Sequence, residues 1–284
     1  MDESPIHLVD SATKLADEHR GVVVVCGSHG GLYPGYLAAL ERVRAVIFND
    51  AGVGKDEAGV ASLAYADPRG LAVAAGTHTS ARIGDAHDMM RRGIIGHANQ
   101  TARAVGCVPG ITCAEAARRL LRAAPPIAEP RAYEEGRRIL VHAVPQVVLI
   151  DSASLVEPGD AGAVVVCGSH GGLVGGKPET ALRADALAAV FHDAGSGIDQ
   201  AGVTRLAALD RRGIAAATVA AASARIGEAV SVYEDGRLSR VNETARAAGA
   251  EVGMTTRAFV ELVRRRTAPT ESGGPATASD LGRR

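Results

Sequence analysis

One stretch of eleven residues occurs twice in this chain. Gly21-Val-Val-Val-Val-Cys-Gly-Ser-His-Gly-Gly31 returns as Gly162-Ala-Val-Val-Val-Cys-Gly-Ser-His-Gly-Gly172, with ten of the eleven positions identical. The match continues in order. Asp50-Ala-Gly-Val-Gly-Lys-Asp-Glu-Ala-Gly-Val60 pairs with Asp193-Ala-Gly-Ser-Gly-Ile-Asp-Gln-Ala-Gly-Val203, Ser80-Ala-Arg-Ile-Gly84 with Ser223-Ala-Arg-Ile-Gly227, and Asn99-Gln-Thr-Ala-Arg103 with Asn242-Glu-Thr-Ala-Arg246. Upstream, Val9-Asp10-Ser11-Ala12 repeats as Ile150-Asp151-Ser152-Ala153. The offset is 141 through the first glycines and 143 from Asp50 onward, so the change in length falls between Leu32 and Asn49. Over 284 residues this is a tandem duplication and not a short-period solenoid. Whatever one half forms the other must form too, so residues of about 8–122 and 148–265 are expected to superpose.

Within each half, strand-like runs alternate with helical stretches. Val22 to Cys26, Ala45 to Phe48 and Leu71 to Ala75 read as strands, and Tyr36 to Arg44 and Glu57 to Ala66 as helices. Such alternation implies βαβ units and a mostly parallel sheet. The expected fold class is therefore α/β, as two tandem, pseudo-twofold related βαβ-rich halves. The first repeat spans 1–122. Residues 123–147 form a linker, because the Pro-rich Ala123 to Pro130 cannot continue a helix, with an extra strand expected within Arg138 to Val148. The second repeat spans 148–266. The tail 267–284, rich in Thr, Ser, Gly, Pro and Ala, has nothing to bury and is expected to be disordered.

Composition narrows the function classes. Aromatics are 3% of residues and Trp is absent, so the core must be built from small and β-branched side chains. With 31 Lys plus Arg against 32 Asp plus Glu, and Arg264-Arg265-Arg266 as the sole basic run, there is no stripe to neutralise phosphates, which argues against nucleic-acid binding. No apolar run is long enough to span a bilayer, and Met1-Asp2-Glu3-Ser4 is acidic where a signal peptide is basic, so a cytoplasmic location with no membrane partner is expected. The four Cys form no CxxC pair and read as free thiols.

The repeated motifs all follow strands, where a parallel sheet gathers its functional groups. The Gly-Ser-His-Gly-Gly turn supplies a hydroxyl, an imidazole and flexible amides. Ser28, His29 and Asp50 are the candidate catalytic residues, with Gly30, Gly31, Ser80 and Arg82 as candidate substrate contacts and Ser169, His170, Asp193, Ser223 and Arg225 as their second-half counterparts. Asp50 and Asp193 would orient the imidazole or cap a helix. Arg82 and Arg225 would clamp a carboxylate or phosphate or join the two halves by salt bridges. Asn99 and Asn242 read as helix N-caps. Cys26 and Cys167 end apolar runs and read as buried hydrophobes, with a nucleophilic role as the alternative. His78, His87 and His97, with Asp85 and Asp88, occur in the first half alone. Their spacing matches no established ligand motif, so no metal is assigned.

Two families share parts of this pattern. The order strand-Gly-Ser-His-Gly, helix, strand-Asp-Ala-Gly resembles the caspase-like group, especially its CHAT-type domains, in which a His-Gly turn ends one strand and a catalytic Cys ends the next. His29 and His170 fall on the His of that pattern, whereas Asp50 and Asp193 stand in place of the Cys, and a carboxylate cannot act as a protease thiolate. The run Val-Val-Val-Cys167-Gly-Ser-His170, with Asp10-Ser11, resembles more weakly the cofactor-independent aspartate/glutamate racemase group, whose two halves each offer a Cys to a shared cleft. The expected function is a cofactor-free hydrolase of an amide-like or other carbonyl bond in a small polar substrate. In it His29 is the base, Ser28 or an activated water the nucleophile, Gly30 and Gly31 amides the oxyanion donors, and Arg82 the anchor. A two-cysteine racemase or isomerase using Cys26 and Cys167, and a non-catalytic small-anion binding protein, are the alternatives. A homo-oligomer is left open.

Overall fold

A computed structural model of the chain describes residues 5–130 and 132–267. It is an α/β structure of two halves, each with its own mixed, mostly parallel sheet. The first sheet has the order β1-β2-β3-β4-β5, with β1 Ile6–Val9, β2 Val23–His29, β3 Ala45–Asn49, β4 Ala72–Gly76 and β5 Ile95–Ala98. The second has six strands: β6 Arg137–Val141, β7 Val147–Ile150, β8 Val164–His170, β9 Ala188–His192, β10 Ala215–Val219 and β11 Leu238–Val241. In both halves the four leading strands of the repeat are parallel and the last is antiparallel. The strand expected in the linker exists as β6, an antiparallel edge to β7.

The apolar runs are continuous because both faces of each sheet are covered. Along β2, Val23 and Val25 pack into one core and Val24 and Cys26 into the other, as period-two alternation requires. In β8, Val164 and Val166 separate from Val165 and Cys167 in the same way. Short helices close the layers: α1 Leu32–Leu40, α2 Ser62–Ala66, α3 Ala86–Arg92, α4 Gln100–Ala104 and α5 Cys113–Leu120 in the first half. In the second half they are α6 Arg205–Asp210, α7 Ala229–Glu234, α8 Glu243–Ala247 and α9 Thr256–Thr267. The asparagines cap as expected. Asn99 Oδ1 accepts from the Ala102 amide and Asn242 Oδ1 from the Ala245 amide, each at 2.9 Å.

Two local readings are corrected. The helix expected over Tyr36 to Arg44 runs from Leu32 to Leu40, where Gly31 starts it. The stretch Glu57 to Ala66 is a 3-10 turn, Lys55–Val60, followed by the short α2, because Asp56 and Glu57 hold left-handed backbone at φ of 53° and 56°. The disorder expected of the tail falls on residues 268–284, outside the described residues, and Thr267 itself ends α9.

The halves meet around a pseudo-twofold axis. Ala51, Ala58 and Ile83 pack with their counterparts Ala194, Ala201 and Ile226 in a small apolar core of their own. Lys55 donates its amide to the Ala221 carbonyl, and Ile198 donates symmetrically to the His78 carbonyl. At the centre, Gly52 and Gly195 hold φ of 76° and 70°, and a Cβ on Gly52 would lie 2.9 Å from the Gly195 Cα. No L side chain fits there.

Candidate functional site

The ends of β1, β2, β7 and β8 open on a single cavity of ≈ 390 Å³ to which both halves contribute. Ser28 and His29 line it from one side and Ser169 and His170 from the other. The two repeated motifs therefore share one cleft, and the pseudo-twofold relation makes it from two copies of one strand end. Gly27, Ser28 and His29 belong to β2 itself rather than to a turn, and the ladder to β3 is irregular between Val25 and His29, as it is between Val166 and His170 in β8.

The imidazoles are held in a defined state. Nδ1 of His29 accepts the Gly31 amide at 3.1 Å, and Nδ1 of His170 accepts the Gly172 amide at 3.2 Å. With Nδ1 an acceptor, the neutral ring carries its proton on Nε2. Burial pushes His29 down to about 3, with help from His192, and pushes His170 well below the usual range, with Arg205, His29 and His192 adding to the effect. Each ring also faces the opposite half. A Cβ at Gly227 would lie 3.4 Å from His29 Cε1, and one at Gly84 would lie 3.5 Å from His170 Cε1.

This geometry corrects several expected roles. A ring that presents Nε2–H and resists a proton is a hydrogen-bond donor, so His29 is not arranged as a general base. The Gly30 amide donates to the Asn49 carbonyl at 2.8 Å and the Gly31 amide to His29, which leaves neither free as an oxyanion donor. Ser28 Oγ accepts from the Ala12 amide at 2.9 Å and Ser169 Oγ from the Ala153 amide at 3.0 Å. Neither hydroxyl bonds an imidazole among the described residues, so a Ser–His nucleophile pair is not formed.

Asp50 lies off the cleft. Its Oδ1 accepts from the Gly52 amide at 3.0 Å and from the amide and Nδ1 of His78, each at 2.8 Å. That contact raises His78 and, against the opposing effect of burial, lowers Asp50. Asp193 makes the matching bonds to the amides of Gly195 and Ala221, so the shared role of this pair is to tie a loop, not to orient His29 or His170. Ser80 and Ser223 likewise bond local backbone at Thr77 and Ala220. Arg82 pairs with Asp199 at 2.9 Å, and Arg225 with Asp56 at 3.0 Å. The arginines thus form inter-half salt bridges; Arg225 also lines the cleft. Cys26 and Cys167 are fully buried, and burial pushes their thiols up to about 12 and about 11, which removes the exposed thiol pair that a two-cysteine racemase needs.

Two of the three candidate histidines of the first half meet at one carboxylate. His78 pairs with Asp50, His97 Nε2 stands 3.9 Å from Asp50 Oδ2, and His87 is exposed. Asp85 caps α3, and the carboxylate of Asp88 is held by Arg91, Arg92 and the Arg82 amide. Among the described residues no three His, Cys, Asp or Glu are grouped to hold a metal ion. Nor is any described helix long and apolar enough to cross a membrane.

Sequence reasoning missed several charged groups of the cleft, and two of them bear on its chemistry. Glu135, in the linker before β6, lies beside Ser152; burial, and then the charge of Asp151, push it up to about 7. Arg205, the first residue of α6, is buried in the cleft wall. Arg205 lacks a counterpart of the same type, and that loss of symmetry was the available signal: Ser62 stands where the repeat would place it. The rings of Tyr33 and Tyr133 meet at 5.7 Å and line the same cleft from the two sides. Comparison with family models, curated proteins and solved structures finds no match to this chain.

Proposed function

We propose that the protein is a small-molecule hydrolase that opens an amide-like or other carbonyl bond in the cleft between its halves, with water as the nucleophile. The observation that carries this reading is the presence, on one cavity, of two neutral imidazoles and one carboxyl that titrates near neutrality. His29 and His170 each offer Nε2–H, a donor suited to the negative charge that develops on a carbonyl oxygen during attack. Glu135 in its ionised form takes the proton from the attacking water and, once protonated, delivers it to the leaving group. Ser28 and Ser169 form polar walls for the substrate, each held by one backbone amide.

The partner called for is a small polar molecule, with no cofactor, no nucleic acid and no membrane. Hydrolysis of a panel of small amides, imides and esters in ¹⁸O-water tests the reading. A turned-over substrate should carry the label in its acid product, with a rate governed by a group near pH 7, and Glu135→Gln should lower kcat by about a hundredfold or more. An unchanged rate in that variant would remove the carboxyl from the mechanism. Binding without turnover, with or without Glu135, would favour the small-anion binding alternative, because the imidazole donors are present in either case.

A further inference from the structure

We propose that Arg205 is the anchor for a carboxylate, and that the molecule bound in the cleft therefore carries a single carboxylate in addition to its reactive carbonyl. This rests on the cleft assigned above but not on its turnover. Arg205 is only 3% exposed. Its Nε donates to the carbonyls of His170 and Gly172 at 3.2 and 3.0 Å, and Nη1 donates to those of Thr180 and Ala181. These bonds brace the chain after β8, where the second half has no equivalent of α1. They use two of the three guanidinium nitrogens, and Nη2 takes no acceptor among the described residues.

The guanidinium of Arg205 stands 5.3 Å over the Phe191 ring, but no carboxylate among the described residues neutralises its charge. Arg225, a half-buried cation of the cleft, is paired with Asp56 and Glu228. Lys14 and Arg183 are exposed to water. Arg205 has no carboxylate within ion-pair distance among the described residues, although it sits in the wall of a cavity large enough for a small ligand. A bound carboxylate would supply the missing charge through Nη2. Ser169 lines the same cleft and adds a hydroxyl to its polar wall.

A monoanion fits better than phosphate. Glu135, Asp151 and Glu228 line the same cleft, and the charge of Asp151 already raises Glu135. A dianion would meet that repulsion with one buried cation to offset it.

Calorimetric titration of the full chain with N-acetylglycine, N-acetylglycinamide and inorganic phosphate tests the assignment. The acid should bind about tenfold to a hundredfold more tightly than its neutral amide, as a charge-assisted hydrogen bond in a buried site provides. Arg205→Gln should abolish that preference. If this variant does not fold, the comparison of acid and amide in the unaltered protein still decides. Equal affinities, undetectable binding of the acid, or tighter binding of phosphate would each overturn the proposal. Tight binding of the acid without hydrolysis would leave it standing while defeating the hydrolase reading, and hydrolysis of acid and amide with equal KM would do the reverse.

Discussion

The stretch between Leu32 and Asn49 and its counterpart between Leu173 and His192 leave the same Gly-Gly pair and enter equivalent strands, yet they fold differently. In the first half, α1 fills the interval and presents Leu32, Tyr33 and Leu37 to the cleft. In the second, two 3-10 turns at Val174–Gly176 and Pro178–Thr180 take its place, with Glu179, Thr180 and Arg183 on the cleft and Arg205 bracing them from behind. The repeat also diverges over 85–98 and 228–241, whereas its strand-end motifs are kept. The residues that pack the halves together, Ala51, Ala58 and Ile83, have identical counterparts. One wall of the cleft therefore differs between the halves, whereas the Ser-His strand ends that line it and the apolar contact between the halves are kept.

The two histidines offer the sharpest way to break the comparison. His29 and His170 occupy equivalent places on one cleft, so replacing either with Gln should lower kcat by about a hundredfold, as losing one donor to a developing oxyanion does. A much larger loss from one of them would show that the halves are unequal in chemistry as well as in shape, and loss from neither would exclude both rings from the reaction.

Acid should reveal the same pair in stability. His29 is held neutral down to about 3 in the folded protein but takes a proton near 6.5 when unfolded. Between those values the unfolded state binds more protons, so stability falls as pH falls through the window, on the order of a few kcal/mol in all. Denaturant unfolding of His29→Asn should show a shallower decline over that range. His78 has the opposite sense. Its raised value means that its contribution is complete at acid pH and is lost as pH rises through its folded value. The equivalent position in the second half is Ala221, so His78→Ala should flatten that loss on the alkaline side.

Contact between the halves should be the next most sensitive feature. Gly52→Ala places a methyl 2.9 Å from the Gly195 backbone at a φ of 76°, and about 1–3 kcal/mol of stability should be lost. Gly159→Ala meets nothing within 4 Å and should leave the melting temperature nearly unchanged. If Gly52→Ala also melts like the parent, the halves are not pressed together at this point. The smallest effect should come from Arg82→Ala. Its bond to Asp199 is exposed on both sides, so the change in stability should be slight and should vanish in high salt.

The sequence carried much of the fold and less of the site, for reasons that differ by residue. The valine runs of β2 and β8 were readable because a sheet covered on both faces leaves no polar gaps. Asn99 and Asn242 were readable as caps because capping is local. The fate of the Gly30 amide was not, and for Arg82 the sequence left a ligand clamp and an inter-half salt bridge both open. Gly30 bonds the carbonyl of Asn49, and Arg82 bonds Asp199, a residue 117 positions away, so both depend on how strands and halves are placed. Glu135 and Arg205 were hidden for another reason. Attention to the repeat selects what the halves have in common, whereas these two are what they do not share.

The approach of Gly52 to Gly195 puts the axis between the halves at a known place, and the cleft is built about that axis. Two identical halves would accept an unsymmetrical guest in two ways, one turned by half a revolution from the other, with equal energy. Divergence of the halves lifts that degeneracy, because Arg205 stands where the other half has Ser62. A guest is then received in one sense only, and its two ends meet different walls.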